Sequence, residues 1–524
     1  MFWGGGILNK KETQKQLDNL ENIKLAIYVN NEKTKTIPTK GENIFDEAKS
    51  SCTNDAYIIW DYESWSPIVK NVTTSLTKCT LYFKKGYSET ILNGTDPIIK
   101  DELIPITIES DGIVKKADIG SEWYSYEKKN WANAIILKDE SEDYLAGEII
   151  PEEAIESYFV WIPKYRYQLW DLGLYDSLTS IDESKVHEIP LIFGDYNTND
   201  AKENECTTPM ESGETGSCQV GDYMTHPAFL SIPSTGFWVG KFETGTTLTS
   251  NYNVRNADAI QIKPNVSSWR NIQIANAFYT TYDYKRNLDS HMMKNTEWGA
   301  VAYLQHSAYG SATSVRINNN SSHITGYAAN NEPTCGYTGT NEECNIYCND
   351  GTCNTAYPNS VSASTTNNIT GIYDMSGGSH EYVMGVMKNT DNELIVCYNN
   401  SNNSGFNGMC INGSIVNDGV YLIDKKYYDI YLYANDEVQF SNRILGDATG
   451  ETGPFYDSTY YGNENKRSSS SWYYDISHTY YANAMFISRG AANVDGNFAG
   501  IFGFYPWNGS ELYYNISFRV ILTI

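Results

Sequence analysis

The sequence predicts an α+β protein in which small N-terminal all-β domains precede one large domain rich in irregular loops. Three observations carry this. Short runs of β-branched and aromatic residues, punctuated by Asn, Asp and Gly, recur along the chain as strands and turns do. Only two stretches of the large domain place apolar residues at helical spacing, around 267–282 and 296–306. Beyond Gly310 helix signals vanish, and loops rich in Asn, Ser, Gly and Thr separate short strands up to Ile524.

At 524 residues the chain is too long for one ordinary domain. Residues 1–23 read as an N-terminal linker or attachment segment. Leu17, Leu20 and Ile23 sit there at helical spacing in a stretch too short to be stable alone, so it is a linker or a seam for contact between copies. Residues 24–86 form a small β domain, with strands at 25–29, 56–60 and 79–83 and a turn at Asn30-Asn31. Residues 87–150 connect onward through a hairpin, 123–126 and 131–136 flanking the polar turn 127–130. The large domain spans 151–524. Pro151-Glu152-Glu153 opens a helix, with proline at its first position and acids in the first turn. It leads into 158–163, a buried type of strand.

Within the large domain, Trp269, Ile272, Ala275, Phe278 and Tyr282 fall on one face of the first helix. Trp298, Val301, Ala302 and Leu304 do so less cleanly on the second. The stretch 370–384 reads as a strand, a tight turn at Gly377-Gly378 supplying positive φ, and a return strand. The closing run 517–522 is β-rich and is expected to complete a sheet against something earlier, since an unpaired strand there would be a liability.

Net charge is −26. A phosphate backbone or an anionic leaflet would be repelled, which argues against nucleic acid as a partner. No stretch approaches eighteen apolar residues, so membrane insertion is not expected. The first residues hold no apolar core of signal-peptide length before the lysines, so a cleaved leader is not expected either. Tyr is abundant, with 42 copies beside 12 Trp and 17 Phe. That palette serves β-propensity and also adaptable recognition surfaces.

The 10 cysteines fall into near neighbours: Cys52/Cys79, Cys206/Cys218, Cys335/Cys344, Cys348/Cys353 and Cys397/Cys410. Each pair would close a loop of roughly 6 to 28 residues, where a bridge contributes about 2–4 kcal/mol. The alternative is a zinc site from Cys335, Cys344, Cys348 and Cys353, which lacks the usual paired two-residue spacers. Disulfides are the expectation, and they imply an oxidising compartment.

Several motifs then carry a family resemblance. Gly236-Phe237-Trp238-Val239-Gly240-Lys241-Phe242-Glu243 resembles the opening strand of the formylglycine-generating-enzyme, or sulfatase-modifying-factor, family. Asn265-Val266-Ser267-Ser268-Trp269 is similar to its helix start, and Thr296-Glu297-Trp298 to the end of its second signature. Gly371-Ile372-Tyr373-Asp374-Met375-Ser376-Gly377-Gly378, followed by Glu381 and Tyr382, resembles its Gly-Leu-Asp-Met-Ser-Gly-Asn hairpin. Arg489-Gly490-Ala491 and Ser517-Phe518-Arg519 resemble its closing signatures. The order is the family's, over roughly 155–524. The resemblance implies a C-type-lectin-like fold, shared with the variable proteins of diversity-generating retroelements on phage tails and bacterial surfaces.

Enzymatic activity is not expected. The oxidase branch of that family needs a reactive cysteine pair with copper near the closing motif, and the last cysteine here is Cys410. The histidines have no iron-ligand spacing, and no nucleophile motif stands between a strand and a helix. Asp195 to Asn199 begins like a calcium loop but meets Asp200 at the required glycine and Cys206 at the closing acid. The family's hairpin can hold calcium through an Asn and a Glu. Here Gly378 takes the Asn position and only Glu381 is left, so no cofactor is expected and calcium is the one candidate.

What remains is recognition. The candidate ligand-binding residues are Tyr473, Tyr474, Asn493, Asp495, Asn497, Tyr505, Trp507, Asn508, Glu511, Tyr513 and Tyr514. Aromatic faces stack on sugars or apolar side chains, while short amides and carboxylates supply directional hydrogen bonds. Phe502 and Phe504 are expected in the core. Arg489, Arg519 and Glu381 are expected to be structural. The chain therefore reads as a receptor-binding or adhesin module of a phage tail or bacterial surface, contacting a host cell-surface glycan or protein. A divergent oxidase, or a purely structural tail or pilus subunit, is the alternative. Contact between copies, or attachment to an assembly, would fall to the N-terminal region.

Overall fold

The run Ile155–Pro163 is apolar at nearly every position, and eight of its nine residues are buried. A strand of that composition has both faces covered, and it lies inside the main sheet. The computed structural model describes residues 28–29, 32–33, 50–52, 56–61, 66–70, 79–80, 96–100, 102–171, 186–194, 219–230, 235–329, 354–388, 394–395, 424–432, 444–453, 471–478, 486–507, 509 and 511–524. Two compact units divide the chain: Met1–Ile91 with Asp118–Trp123, and Leu92–Ala117 with Tyr124–Ile524. The described part is a mixed α+β protein, mostly strands, with two helices and several antiparallel sheets.

In the first unit, Tyr28–Val29 pairs with Glu32–Lys33, and the expected turn residues Asn30-Asn31 lie outside the described residues. Tyr57–Asp61 pairs with Ser66–Lys70. Ser51–Cys52 pairs antiparallel with Cys79–Thr80, and Cys52 stands opposite Cys79, the register their expected bridge requires.

The other four expected bridges are not part of the described structure. Cys206 and Cys218 both lie outside the described residues, and the described chain resumes at Gln219, directly after Cys218. Cys335 with Cys344, Cys348 with Cys353, and Cys397 with Cys410 lie outside them too. So do segment 1–23 and the Asp195–Cys206 loop.

In the second unit the strands are β1 (Ile104–Ile108), β2 (Val114–Lys116), β3 (Asn133–Leu137), β4 (Ile149–Ile150), β5 (Ile155–Pro163), β6 (Gly236–Gly240) and β7 (Ser290–Met292). Further on come β8 (His380–Val383), β9 (Phe486–Gly490), β10 (Gly500–Trp507), β11 (Ile516–Phe518) and β12 (Val520–Leu522), beside smaller two- and three-stranded sheets. The helices are α1 (Ile274–Tyr284) and α2 (Asn295–Gln305). An eight-stranded sheet runs in the order β4-β2-β1-β3-β5-β6-β12-β7, and a four-stranded sheet in the order β10-β9-β8-β11.

The closing run does complete a sheet, and in fact serves two. β11 pairs in parallel with β8, whereas β12 pairs with β6 and β7. Arg519 is the single residue between them.

Four expectations are corrected. The boundary placed near residue 150 falls inside the large sheet, because β1 and β3 from the segment 87–150 pair with one another and β3 pairs with β5. The connection 138–153 is largely exposed, but the strands on either side of it pair within one sheet, so it is a loop of that sheet and not a linker between domains. Pro151 opens only a 3-10 turn, Glu152–Ala154, since the β-branched and aromatic run that follows pulls the chain straight into β5.

The Gly377-Gly378 stretch is not a hairpin. Both glycines have positive φ, but the residues before them form no strand. Instead Gly378 donates its N–H to Asn318 O and Asn318 donates to Ser376 O, so the incoming arm pairs with a loop. Only β8 on the outgoing side enters a sheet.

The first helix begins at Ile274 rather than 267. Trp269 is buried, with its N–H given to Thr244 O and its indole to Tyr252 O, bonds a helix could not provide. The second helix, α2, is buried at all eleven positions, which explains its poor amphipathic pattern.

Candidate functional site

The four-stranded sheet carries the expected aromatic surface. Along β10, Tyr505 and Trp507 share one face by the two-residue period and are half-buried. Phe502 and Phe504 are buried, as expected of core residues. A register shift between Arg489 and Gly490 lets β10 bury Ile501 as well, so strict alternation fails there.

Trp507 is the centre of the cluster. Its ring lies 4.3 Å from Tyr513, 5.3 Å from Tyr505 and 5.4 Å from His380. Its indole Nε1 donates to Ser488 Oγ at 2.7 Å. Ser488 Oγ lies 3.2 Å from His380 Nδ1, and His380 Nε2 lies 3.1 Å from Asp495 Oδ2. Tyr505 also packs on His478 at 5.2 Å.

Beside it, Gly509 and residues 511–514 are held on the segment leading into α1. Ile274 N donates to Gly509 O and Asn271 N to Tyr513 O. Arg270 Nη1 donates to Tyr514 O at 2.6 Å, and its Nη2 to Ser267 Oγ. Burial lowers the Arg270 pKa from its ordinary value. The loop thus presents Leu512 at 51% and Tyr514 at 61% exposure, with Glu511 also exposed and Tyr513 half-buried. Beneath Tyr514 sits buried His323, whose Nδ1 is bonded to Gly378 O and Ser379 Oγ and whose pKa burial pushes down to about 4.

The sequence-predicted residues do not all meet here. Trp507, Tyr505, Tyr513, Tyr514 and Glu511 share this region. Asp495 is buried rather than ligand-facing, because it caps Ala492 N and faces His380. Tyr473 belongs to a separate cluster: its hydroxyl bonds His306 Nε2 at 2.6 Å, and its ring stacks on Phe502. Asn493 is half-buried, and its Oδ1 has no hydrogen-bond partner. Tyr474 and Asn497 lie in the 3-10 turns Trp472–Tyr474 and Asn493–Phe498, their side chains outside the described residues, as is Asn508.

Sequence reasoning missed Ser488, Arg270 and Leu512. Ser488 sits in a strand with nothing local to mark it. Arg270 directly follows the Ser-Ser-Trp of the motif at 265–269, which was the available signal.

The three residues expected to be structural are all buried. Arg519 Nε donates to Glu381 Oε2 at 2.8 Å and its Nη2 reaches Glu381 Oε1. It also donates to Gly240 O and Tyr373 O. Arg489 donates to Asn295 Oδ1, Asp447 O and Ala448 O, with its guanidinium between the rings of Trp298 and Phe504. Burial lowers its pKa to about 10.

A second buried set gathers acids from separate motifs, Glu243, Asp374 and Glu381. Burial, with the Asp374 and Glu381 charges, pushes Glu243 well above the usual carboxylate range. Asp374, bonded by Gly326 N and Asn318, is raised to about 6, chiefly by burial. Both oxygens of Glu381, the one calcium-type ligand expected in this stretch, are taken by Arg519. Among the described residues, no group of three or more His, Cys, Asp or Glu side chains could hold a metal ion. No helix among them is long and apolar enough to cross a membrane. Compared with known families and with curated proteins, the chain matches no family model and no relative.

Proposed function

We propose that this chain is a non-enzymatic ligand-binding protein, the receptor-binding or adhesin module of a phage tail or a bacterial surface. Its second unit would be a C-type-lectin-like domain of the formylglycine-generating type, turned to recognition. The observation that carries the reading is the aromatic lip of 505–507 and 511–514. Trp507, Tyr505 and Tyr513 are only half-covered, and Tyr514 and Leu512 are exposed on a loop fixed by Arg270, Asn271 and Ile274. A contact loop already ordered before binding loses little conformational entropy on complex formation. Exposed tyrosine on a rigid frame offers large contact area at low rotamer cost. The motif order over 155–524 supports the domain type, and the pairing of β11 and β12 with earlier strands supports a closed frame behind the lip.

The test is adsorption of the full chain to candidate host cells, with Trp507→Ala, Tyr513→Ala and Tyr514→Ala beside the parent. Loss of adsorption in folded variants supports the reading. Undiminished adsorption in all three points to a structural subunit instead.

A further inference from the structure

We propose that Asp495, His380 and Ser488 form a positioning chain that holds the Trp507 ring as a platform for the apolar face of a neutral sugar. This rests on the ligand-binding reading above and names its ligand class. With a neutral His380 the hydrogen bonds take one set of directions. An indole nitrogen can only donate, so Ser488 Oγ is the acceptor at 2.7 Å. A carboxylate accepts, so the proton between His380 and Asp495 belongs to Nε2, 3.1 Å from Asp495 Oδ2. That leaves Nδ1 as an acceptor for the Ser488 hydroxyl at 3.2 Å, with Tyr505 O at 3.3 Å as its alternative. Each member is thereby oriented by the next. Ser488, His380 and Asp495 are buried, whereas Trp507 is half-buried, so the chain runs from the interior to one surface ring.

A half-exposed Trp could hold its place by packing alone. Pinning its nitrogen as well selects one ring orientation, which matters when a flat partner must lie against the ring. A pyranose presents such a flat face of C–H groups, and the neighbouring Tyr513 and Tyr505 rings extend the surface. The charge balance selects a neutral sugar. The chain carries −26 overall, and Glu511 is exposed on the adjoining loop. Arg270, the nearby cation, already donates to Tyr514 O and Ser267 Oγ. Within 505–514 Glu511 is the one charged side chain, so an acidic sugar would meet repulsion there.

The experiment titrates the full chain with lactose and with sialyllactose, following Trp fluorescence and the Trp507 indole N–H resonance, assigned with Trp507→Phe. Lactose is expected to shift that resonance, and sialyllactose to bind more weakly. Ser488→Ala should move the indole resonance upfield without sugar and weaken lactose by about fivefold, the equivalent of one neutral hydrogen bond. Ser488→Thr, which keeps the hydroxyl, should restore both. His380→Leu should act like Ser488→Ala, and His380→Gln, which keeps an acceptor, should act less.

An indole resonance and lactose affinity unchanged in Ser488→Ala overturn the positioning chain. Preference for sialyllactose, or no sugar binding at all, overturns the ligand class. If Trp507→Ala abolishes cell adsorption while lactose does not bind, this inference falls and the ligand-binding reading stands.

Discussion

Arg519 and Glu381 form a two-point ion pair wholly inside the protein, at the residue where the chain passes from one sheet to the other. Glu381 belongs to β8 of the four-stranded sheet, and Arg519 also donates to Gly240 O of β6 in the eight-stranded sheet. One guanidinium therefore ties both sheets together. Replacing Glu381 by Gln leaves a buried cation short of its partner, and such a break costs about 3–5 kcal/mol. Denaturant unfolding should show that loss. Arg519→Lys should recover little of it, because an ammonium cannot reproduce the two-point contact or reach the same carbonyls.

The lip and the core beneath it should respond differently to truncation. Tyr514 and Leu512 are exposed, so Tyr514→Ala and Leu512→Ser should change stability by less than about 0.5 kcal/mol. Phe504 is buried and packs on the Arg489 guanidinium, so Phe504→Ala should cost about 3–5 kcal/mol. Thermal melts of the three variants, set beside their adsorption, separate the contact surface from its support.

Asp475 gives a signed pH dependence. Burial raises its pKa to about 8, against the opposing hydrogen bond from Phe502 N and the charge of Arg489. The folded state thus holds this proton more tightly than the unfolded chain. The stability contributed is fully present below the unfolded value near 4 and is lost as pH rises towards 8, by about 1.4 kcal/mol per unit at most. Asp475→Asn removes the titration. The difference in unfolding free energy between variant and parent should therefore move in favour of the variant from pH 4 to 8. A pH-independent difference would contradict the buried, proton-holding state.

Gly299 lies in α2 where the backbone of 446–447 crosses the helix. A side chain there would collide with the Gly446 carbonyl and the Asp447 backbone, neither of which is a flexible tip. Arg489 holds that same crossing segment through the carbonyls of Asp447 and Ala448. Gly299→Ala should therefore destabilise by about 1–3 kcal/mol, despite alanine's better helix propensity. Heat or urea unfolding measures it.

Cys52 and Cys79 face each other across paired strands. Peptide mapping without reduction should recover them as one linked species, and the same digest reads out whether Cys206 and Cys218 are joined. In the full chain, Cys79→Ser should lower the stability of the first unit by about 2–4 kcal/mol. Recovery of Cys52 and Cys79 as free thiols would remove their bridge from the account.

Local patterns were readable where one residue type served one local purpose. The apolar run at 158–163 announced a buried strand. The structural part for Arg489, Arg519 and Glu381 was also legible, because a charged residue inside an apolar β run has to be satisfied internally. Two things were hidden. The first was pairing between distant segments: nothing in 104–137 says that it joins β5, and nothing around Gly377-Gly378 says that a loop at Asn318 replaces the incoming strand. The second was which polar residues turn inward. Asp495 reads as a surface acid until His380, 115 positions earlier, is brought against it. Composition and periodicity determined that aromatic strands would carry this protein. Only the tertiary structure decided which rings are walled in and which face water, because burial depends on neighbours that the order of residues does not name.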